Sequence, residues 1–132
     1  CCGRPDSKGR PLAFGLCCGP FIDRFATTPA PDAEALMRSR YTAFVLERAD
    51  YLLATWHTSH RPAQVDFDPT VKWLGLQVRD HRQLDAAHAE VEFVARQKPA
   101  SGAAVRLHER SRFVREVQDG VARWFYVDGD QR

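Results

Sequence analysis

From Val71 onward the chain changes period, and that change limits its fold more than any other feature. The period becomes two through four stretches, the first with apolar residues on both faces: VKWLGLQVR (71–79), AHAEVEFVARQ (87–97), AVRLHERSRFVREV (104–117) and ARWFYVDG (122–129). A period of two is that of a β-strand, whose side chains alternate between the two faces of a sheet. The KPASG segment and the Asp119-Gly120 pair between the later stretches are turn chemistry, which joins sequential strands as antiparallel neighbours. In the second stretch Ala89, Val91, Phe93 and Ala95 face inward, with Glu90, Glu92 and Arg96 outward. If the KPASG turn pairs Arg96 with Ala104, Glu92 faces His108 and Glu90 faces Arg110. Opposite charges facing each other across strands stabilise by about 0.2–1 kcal/mol per pair. The basic row Arg106, His108, Arg110 and Arg112 then has acidic neighbours and reads as an ion-paired sheet face rather than a nucleic-acid stripe.

The segment before the strands has helical spacing. Pro31 and Asp32 supply start chemistry, and Glu34 adds a carboxylate to the first turn, where negative charge is favoured. Leu36, Met37, Tyr41, Phe44 and Val45 share one face of a helix that fades near Arg48. Asp50 can cap a second helix running to His57, which buries Leu52, Leu53 and Trp56. Residues 58–70 form a polar loop with two prolines. Two helices followed by a four-stranded antiparallel meander make an α+β fold, with N-terminal helices packed on a curved sheet.

Residues 1–24 lack periodicity and hold all four cysteines of the 132-residue chain, as the pairs Cys1-Cys2 and Cys17-Cys18. Such a segment needs something other than a core to fold. Three chemistries are open to it. Four thiolates converging from two sides of a loop suit a tetrahedral metal such as Zn²⁺, with Cys1, Cys2, Cys17 and Cys18 as ligands. Disulfides between the pairs would suit an exported protein. A thiol redox centre generally has two residues between its cysteines, a spacing absent here. No basic stretch followed by an apolar one opens these residues, so the expected compartment is a reducing cytoplasm, where metal binding is the favoured reading.

A net charge of +2 is too small to imply a nucleic-acid or membrane partner, and no apolar run approaches 18 residues. The excess of 16 Arg over 3 Lys reads as codon bias of a GC-rich genome rather than phosphate recognition.

Cys2-Gly3 and Leu16-Cys17-Cys18-Gly19-Pro20 resemble the SEC-C zinc-binding motif, although the first pair is adjacent where the motif has one residue between its cysteines. The blocks Ala33–Phe44, Asp50–His57, Trp73–Leu76, Glu109–Phe113 and Trp124–Gly129 are similar to YchJ-like bacterial proteins, a functionally uncharacterised family. The resemblance spans nearly the whole chain. It implies a SEC-C zinc module at residues 1–24 and a nuclear transport factor 2-like, SnoaL-like α+β cone at residues 25–132.

A cone of this type encloses a cavity. In the third strand Val105, Leu107, Glu109, Ser111 and Phe113 share a face by period two. Glu109 in a partly desolvated site can act as a general base, or can pair structurally with Arg38 or Arg40 of the first helix. Tyr41, His57, Trp73 and Ser111 are the other pocket candidates, with His57 or Tyr41 able to assist an acid–base reaction. The expected role is binding: the zinc module contacts a macromolecule, with a protein as the expected partner, and the cone binds a small-molecule ligand or forms a homodimer. The alternative is a small-molecule enzyme that uses Glu109.

Overall fold

Asp32 opens the longest helix as expected, its Oδ1 accepting a hydrogen bond from the Ala35 N–H at 2.7 Å. The computed structural model describes residues 2–5, 8–10 and 13–132. In chain order it has a 3-10 turn at Phe14–Leu16, α1 (Gly19–Asp23), α2 (Ala33–Val45), α3 (Ala49–Ala54), β1 (Lys72–Gln83), β2 (His88–Lys98), β3 (Val105–Gln118) and β4 (Val121–Gln131). The strands form one antiparallel sheet in the order β1-β2-β3-β4. This is the α+β architecture that the two periods imply. No helix among the described residues is long and apolar enough to cross a membrane.

The helix ends differ from expectation, for local reasons. α2 stops at Val45 rather than near Arg48, because Glu47 adopts a left-handed conformation (φ 57°). The Arg48 N–H then bonds Ala43 O at 2.8 Å and the Glu47 N–H bonds Phe44 O at 3.3 Å, the reverse-bonded ending that glycine more often supplies. Val45, assigned to the buried face, is exposed. Asp50 lies inside the first turn of α3 instead of capping it. α3 ends at Ala54 because the sheet takes over the backbone: Tyr126 N bonds Thr55 O at 2.9 Å and His57 N bonds Tyr126 O at 2.7 Å. Tyr51, Leu52 and Thr55 are buried here, while Leu53 and Trp56 are only half-buried.

Strand pairing places Arg96 opposite Arg106, Glu92 opposite Arg110 and Glu90 opposite Arg112, two residues away from the expected register. The expected ion pairs nevertheless form as diagonal contacts. His108 Nε2 lies 2.9 Å from Glu92 Oε2, and Arg110 Nε lies 2.7 Å from Glu90 Oε1. Arg110 also reaches Asp80 at 2.9 Å, and Arg112 binds Asp128 and Asp130 at 2.6 and 2.8 Å. These contacts make the face ion-paired.

Register shifts at Trp73/Gly75 and Val78/Asp80 in the β1–β2 pairing, and at Arg112/Phe113 in the β3–β4 pairing, bend the sheet. The bent sheet packs against α2. Leu36, Leu52, Val91 and Phe113 are fully buried in the core, and Cys2, Cys18 and Ile22 of the N-terminal segment belong to the same buried cluster. The segment after α1 is pinned by Arg123 of β4. Its guanidinium donates to Phe25 O at 2.6 Å and Ala26 O at 2.8 Å, and stacks over the Phe25 ring.

Candidate metal centre and ligand cavity

The two cysteine stretches converge because the first runs past α2 and the second leads into α1. Gly19, directly after the Cys17-Cys18 pair, packs so closely on Phe14 that a β-carbon there would fall 2.7 Å from Phe14 O. Cys2 Sγ stands 3.5 Å from Cys17 Sγ, and Cys17 Sγ stands 3.6 Å from Cys18 Sγ. All three sulfurs lie within 4.8 Å of one another. Sulfurs bound at about 2.3 Å to a tetrahedral zinc are about 3.8 Å apart, so these three already outline one face of such a site. The same distances are far longer than a disulfide bond. Cys1, the expected fourth ligand, lies outside the described residues.

Hydrogen bonding and burial make the three thiols unequal. Cys2 is pulled down to about 5, chiefly by a hydrogen bond from Cys18 against the opposing effect of burial, with help from the Arg4 backbone, Cys17 and Arg38. Cys18 is driven up by that same bond and then by burial, and Cys17 by burial and then by Cys2. A divalent cation supplies the charge that lets all three ionise together. Helix α2 supports the cluster: Thr42 Oγ1 donates to Cys18 Sγ at 3.3 Å, and Arg38 Nη1 stands 4.0 Å from Cys2 Sγ while its Nε holds Glu34 at 2.8 Å. These three cysteines can hold a metal.

The second site lies on the opposite side of α2, between the helix and the concave sheet. It is a cavity of about 270 Å³. Tyr41, Trp73, Glu109 and Ser111, each a sequence candidate, line it. Tyr41 meets Trp73 edge-on at 5.6 Å, and burial pushes its phenol up. Glu109 Oε2 accepts from Ser111 Oγ at 2.5 Å, and Oε1 accepts from Gln131 Nε2 at 3.1 Å. Room for the carboxylate comes from Gly129 on β4, where a β-carbon would lie 2.6 Å from Glu109 Cδ. The Tyr126 hydroxyl is pushed up to about 12, by burial first and then by the nearby Glu109 charge.

Three expectations fail here. His57 is not part of the cavity wall; its Nε2 pairs outward with Glu116 at 2.9 Å and its Nδ1 with Ser59 at 2.7 Å. Neither Arg38 nor Arg40 forms an ion pair with Glu109, because Arg38 points to Glu34 and Arg40 is held from the other side. Val105 is exposed and leaves the row that Leu107, Glu109, Ser111 and Phe113 continue into the cavity.

Arg40, expected only as a structural partner for Glu109, is instead the cation of the cavity wall. Arg40 is 6% exposed, and burial lowers it to about 10, so it stays charged at neutral pH. Its Nη1 donates to Leu52 O at 2.8 Å and to Thr55 Oγ1 at 2.7 Å. Its guanidinium carbon stands 5.0 Å from the Trp56 ring centre and 4.6 Å from that of Tyr126. The signal was present in the spacing: Leu36, Arg40 and Phe44 are four residues apart, which puts a charge in the middle of the apolar stripe.

Residues 32–129 match the family described as YchJ, middle NTF2-like domain. A UPF0225 protein of Polaromonas sp. is 71% identical over 131 residues, which cover 99% of this chain and 91% of the relative. A UPF0225 protein of Bordetella pertussis is 54% identical over 125 residues, covering 94% and 90%. Among solved structures, the solution structure of a SEC-C motif containing protein from Rhodopseudomonas palustris is similar with a TM-score of 0.75 at 32% identity, covering 92% of this chain and 94% of that one. The crystal structure of a SEC-C motif containing protein from Psychrobacter arcticus gives 0.80 at 32% identity, covering 97% and 78%.

Proposed function

The chain belongs to the UPF0225 family, with the YchJ-type NTF2-like domain, and from that premise we propose that it is a zinc-stabilised binding protein whose cone takes up a small organic molecule. The observation that carries this reading is the cavity: aromatic walls, a few polar groups converging from different elements, and a buried cation on one side. That combination is what small-molecule sites have in common. Zinc is the metal assigned to Cys2, Cys17 and Cys18, with Cys1 as the fourth ligand, because thiolates at these separations suit its tetrahedral preference. Gly3, Pro5 and residues 8–10 between the cysteine pairs are exposed, which leaves the zinc module a surface for a protein partner.

The test is a thermal-shift screen of metabolite-sized compounds on the intact chain, run beside a Ser111→Phe variant that fills the cavity, with zinc measured on the same samples. Compounds that raise the melting temperature of the parent and not of the filled variant support the reading. Equal shifts in both, or none, remove the cavity from it, and metal-free protein from chelator-free purification removes zinc. One observation favours a second reading, an enzyme with Glu109 as general base: its carboxylate faces the cavity and is oriented by Ser111 and Gln131. Under that reading Glu109→Gln binds the ligand but does not turn it over.

A further inference from the structure

Arg40 is a buried cation whose hydrogen-bonding capacity is mostly unspent. A guanidinium carries five N–H donors. Two of them, both on Nη1, are taken by Leu52 O and Thr55 Oγ1. Among the described residues Nε and Nη2 have no acceptor and no carboxylate forms an ion pair with Arg40, on which the charge of Glu109 acts only from a longer distance. Neither nitrogen is sealed in protein. The described buried side-chain nitrogens without a partner are Trp56 Nε1 and His81 Nε2, so the remaining donors of Arg40 reach the open space that the residue lines. Trp56 lines the same cavity with its ring, 5.0 Å from the guanidinium carbon, but its indole N–H is one of those sealed nitrogens and does not face the open space.

A buried charge with unpaired N–H donors is costly unless something in the cavity supplies acceptors. Building on the cavity reading above, we propose that the cone selects a small aromatic monocarboxylate, with its carboxylate on the unspent donors of Arg40. The planar donor fork of an arginine matches a carboxylate. Glu109, which lines the same cavity and whose charge acts on Arg40, makes a second negative charge unfavourable, which selects a monoanion over a phosphate dianion. A cavity of about 270 Å³ walled by Tyr41, Trp73, Phe93 and Phe113 accommodates a single ring rather than a long chain. Glu109 is left to accept from a hydroxyl or amine substituent on such a ring.

The proposal is tested by titrating the zinc-loaded, isotope-labelled chain with benzoate, benzamide and phenyl phosphate and following the Arg40 Nε–H resonance. Benzoate is expected to move it saturably, with benzamide and phenyl phosphate binding about tenfold or more weakly. Glu109→Gln removes the competing negative charge; it is expected to narrow the gap between phenyl phosphate and benzoate and leave benzamide unchanged. Because Arg40 also ties α2 to α3, Arg40→Gln is informative only if it folds, and the comparison of benzoate with benzamide on the parent chain decides the matter without it. If benzamide binds as well as benzoate, the cavity reading survives and carboxylate selection is wrong. Tightest binding by phenyl phosphate overturns the monoanion choice. If no probe moves the Arg40 resonance, or if only surface signals move, the proposal fails whatever the thermal-shift screen shows for other compounds.

Discussion

A β-carbon at Gly129 would sit 2.6 Å from the carboxyl carbon of Glu109, so the position of this acid depends on a side chain that its neighbouring strand lacks. Gly129→Ala should force the flexible Glu109 side chain out of its bonds with Ser111 and Gln131 and cost about 1–3 kcal/mol, the loss of hydrogen bonds to a charged group. In a Glu109→Ala background the same change should be nearly neutral. A double-mutant cycle by urea unfolding measures the coupling, expected at about 1–2 kcal/mol. Additive effects would show that Gly129 matters for some other reason.

The cysteine cluster makes a prediction that reaches beyond metal content. Cys18 is 1% exposed and packed against Thr42 of α2, so Cys18→Ala should abolish stoichiometric metal and also lower the melting temperature by about 5–10 °C. Chelating the metal from the parent chain should reproduce most of that loss. Elemental analysis and calorimetry on both proteins check it; unchanged metal content in the variant would exclude Cys18 as a ligand.

Arg123 holds the connecting segment to the sheet through two backbone carbonyls and a stacked ring. Arg123→Met removes charged donors from Phe25 O and Ala26 O and should cost about 2 kcal/mol. Hydrogen exchange should quicken in residues 25–30 while the β2–β3 ladder stays protected. Uniform quickening across the sheet would instead mean that Arg123 supports the whole core.

Acid should weaken the sheet face in a defined direction. Glu92 is held below its ordinary value of 4.5, first by His108 and then by Arg110, and Asp80 below 3.8, first by its hydrogen bond with Arg110. The unfolded chain therefore binds more protons in this range, and the stability these groups contribute is present above their ordinary values and lost as pH falls through the lowered ones. Melting temperature should drop from about pH 5 downward, and Arg110→Gln should flatten that drop. A slope unchanged by Arg110→Gln would place the acid sensitivity elsewhere.

Period was the legible part of this fold. Alternation from Val71 named four strands, and Asp32 named the helix start, because both signals are local. The register was not legible by charge. Glu92 lies opposite Arg110 and touches it at 3.2 Å, yet it also reaches His108 diagonally, so two registers satisfy the same charges. The ending of α2 at Glu47 could not be read either, since a glutamate gives no warning of a left-handed conformation. In the cavity, Glu109 and Ser111 followed from strand alternation, with Tyr41 and Trp73 as aromatic candidates. His57 was misplaced because α3 gives way to a bridge with Tyr126 before reaching it. Arg40 went unread as a cavity residue because what makes it unusual, its missing acceptors, exists only once α3 and β4 have closed around it.

Helix α2 turns Thr42 and Arg38 toward the cysteines and Arg40 and Tyr41 toward the cavity, within two turns of the same rod. It is a party wall between two tenants. A cysteine segment grafted from a relative would have to bring its own version of this helix, or leave both the sulfurs and the cavity fitted to the wrong wall. The N-terminal segment and the cone are therefore constrained to change together rather than be traded as separate cassettes.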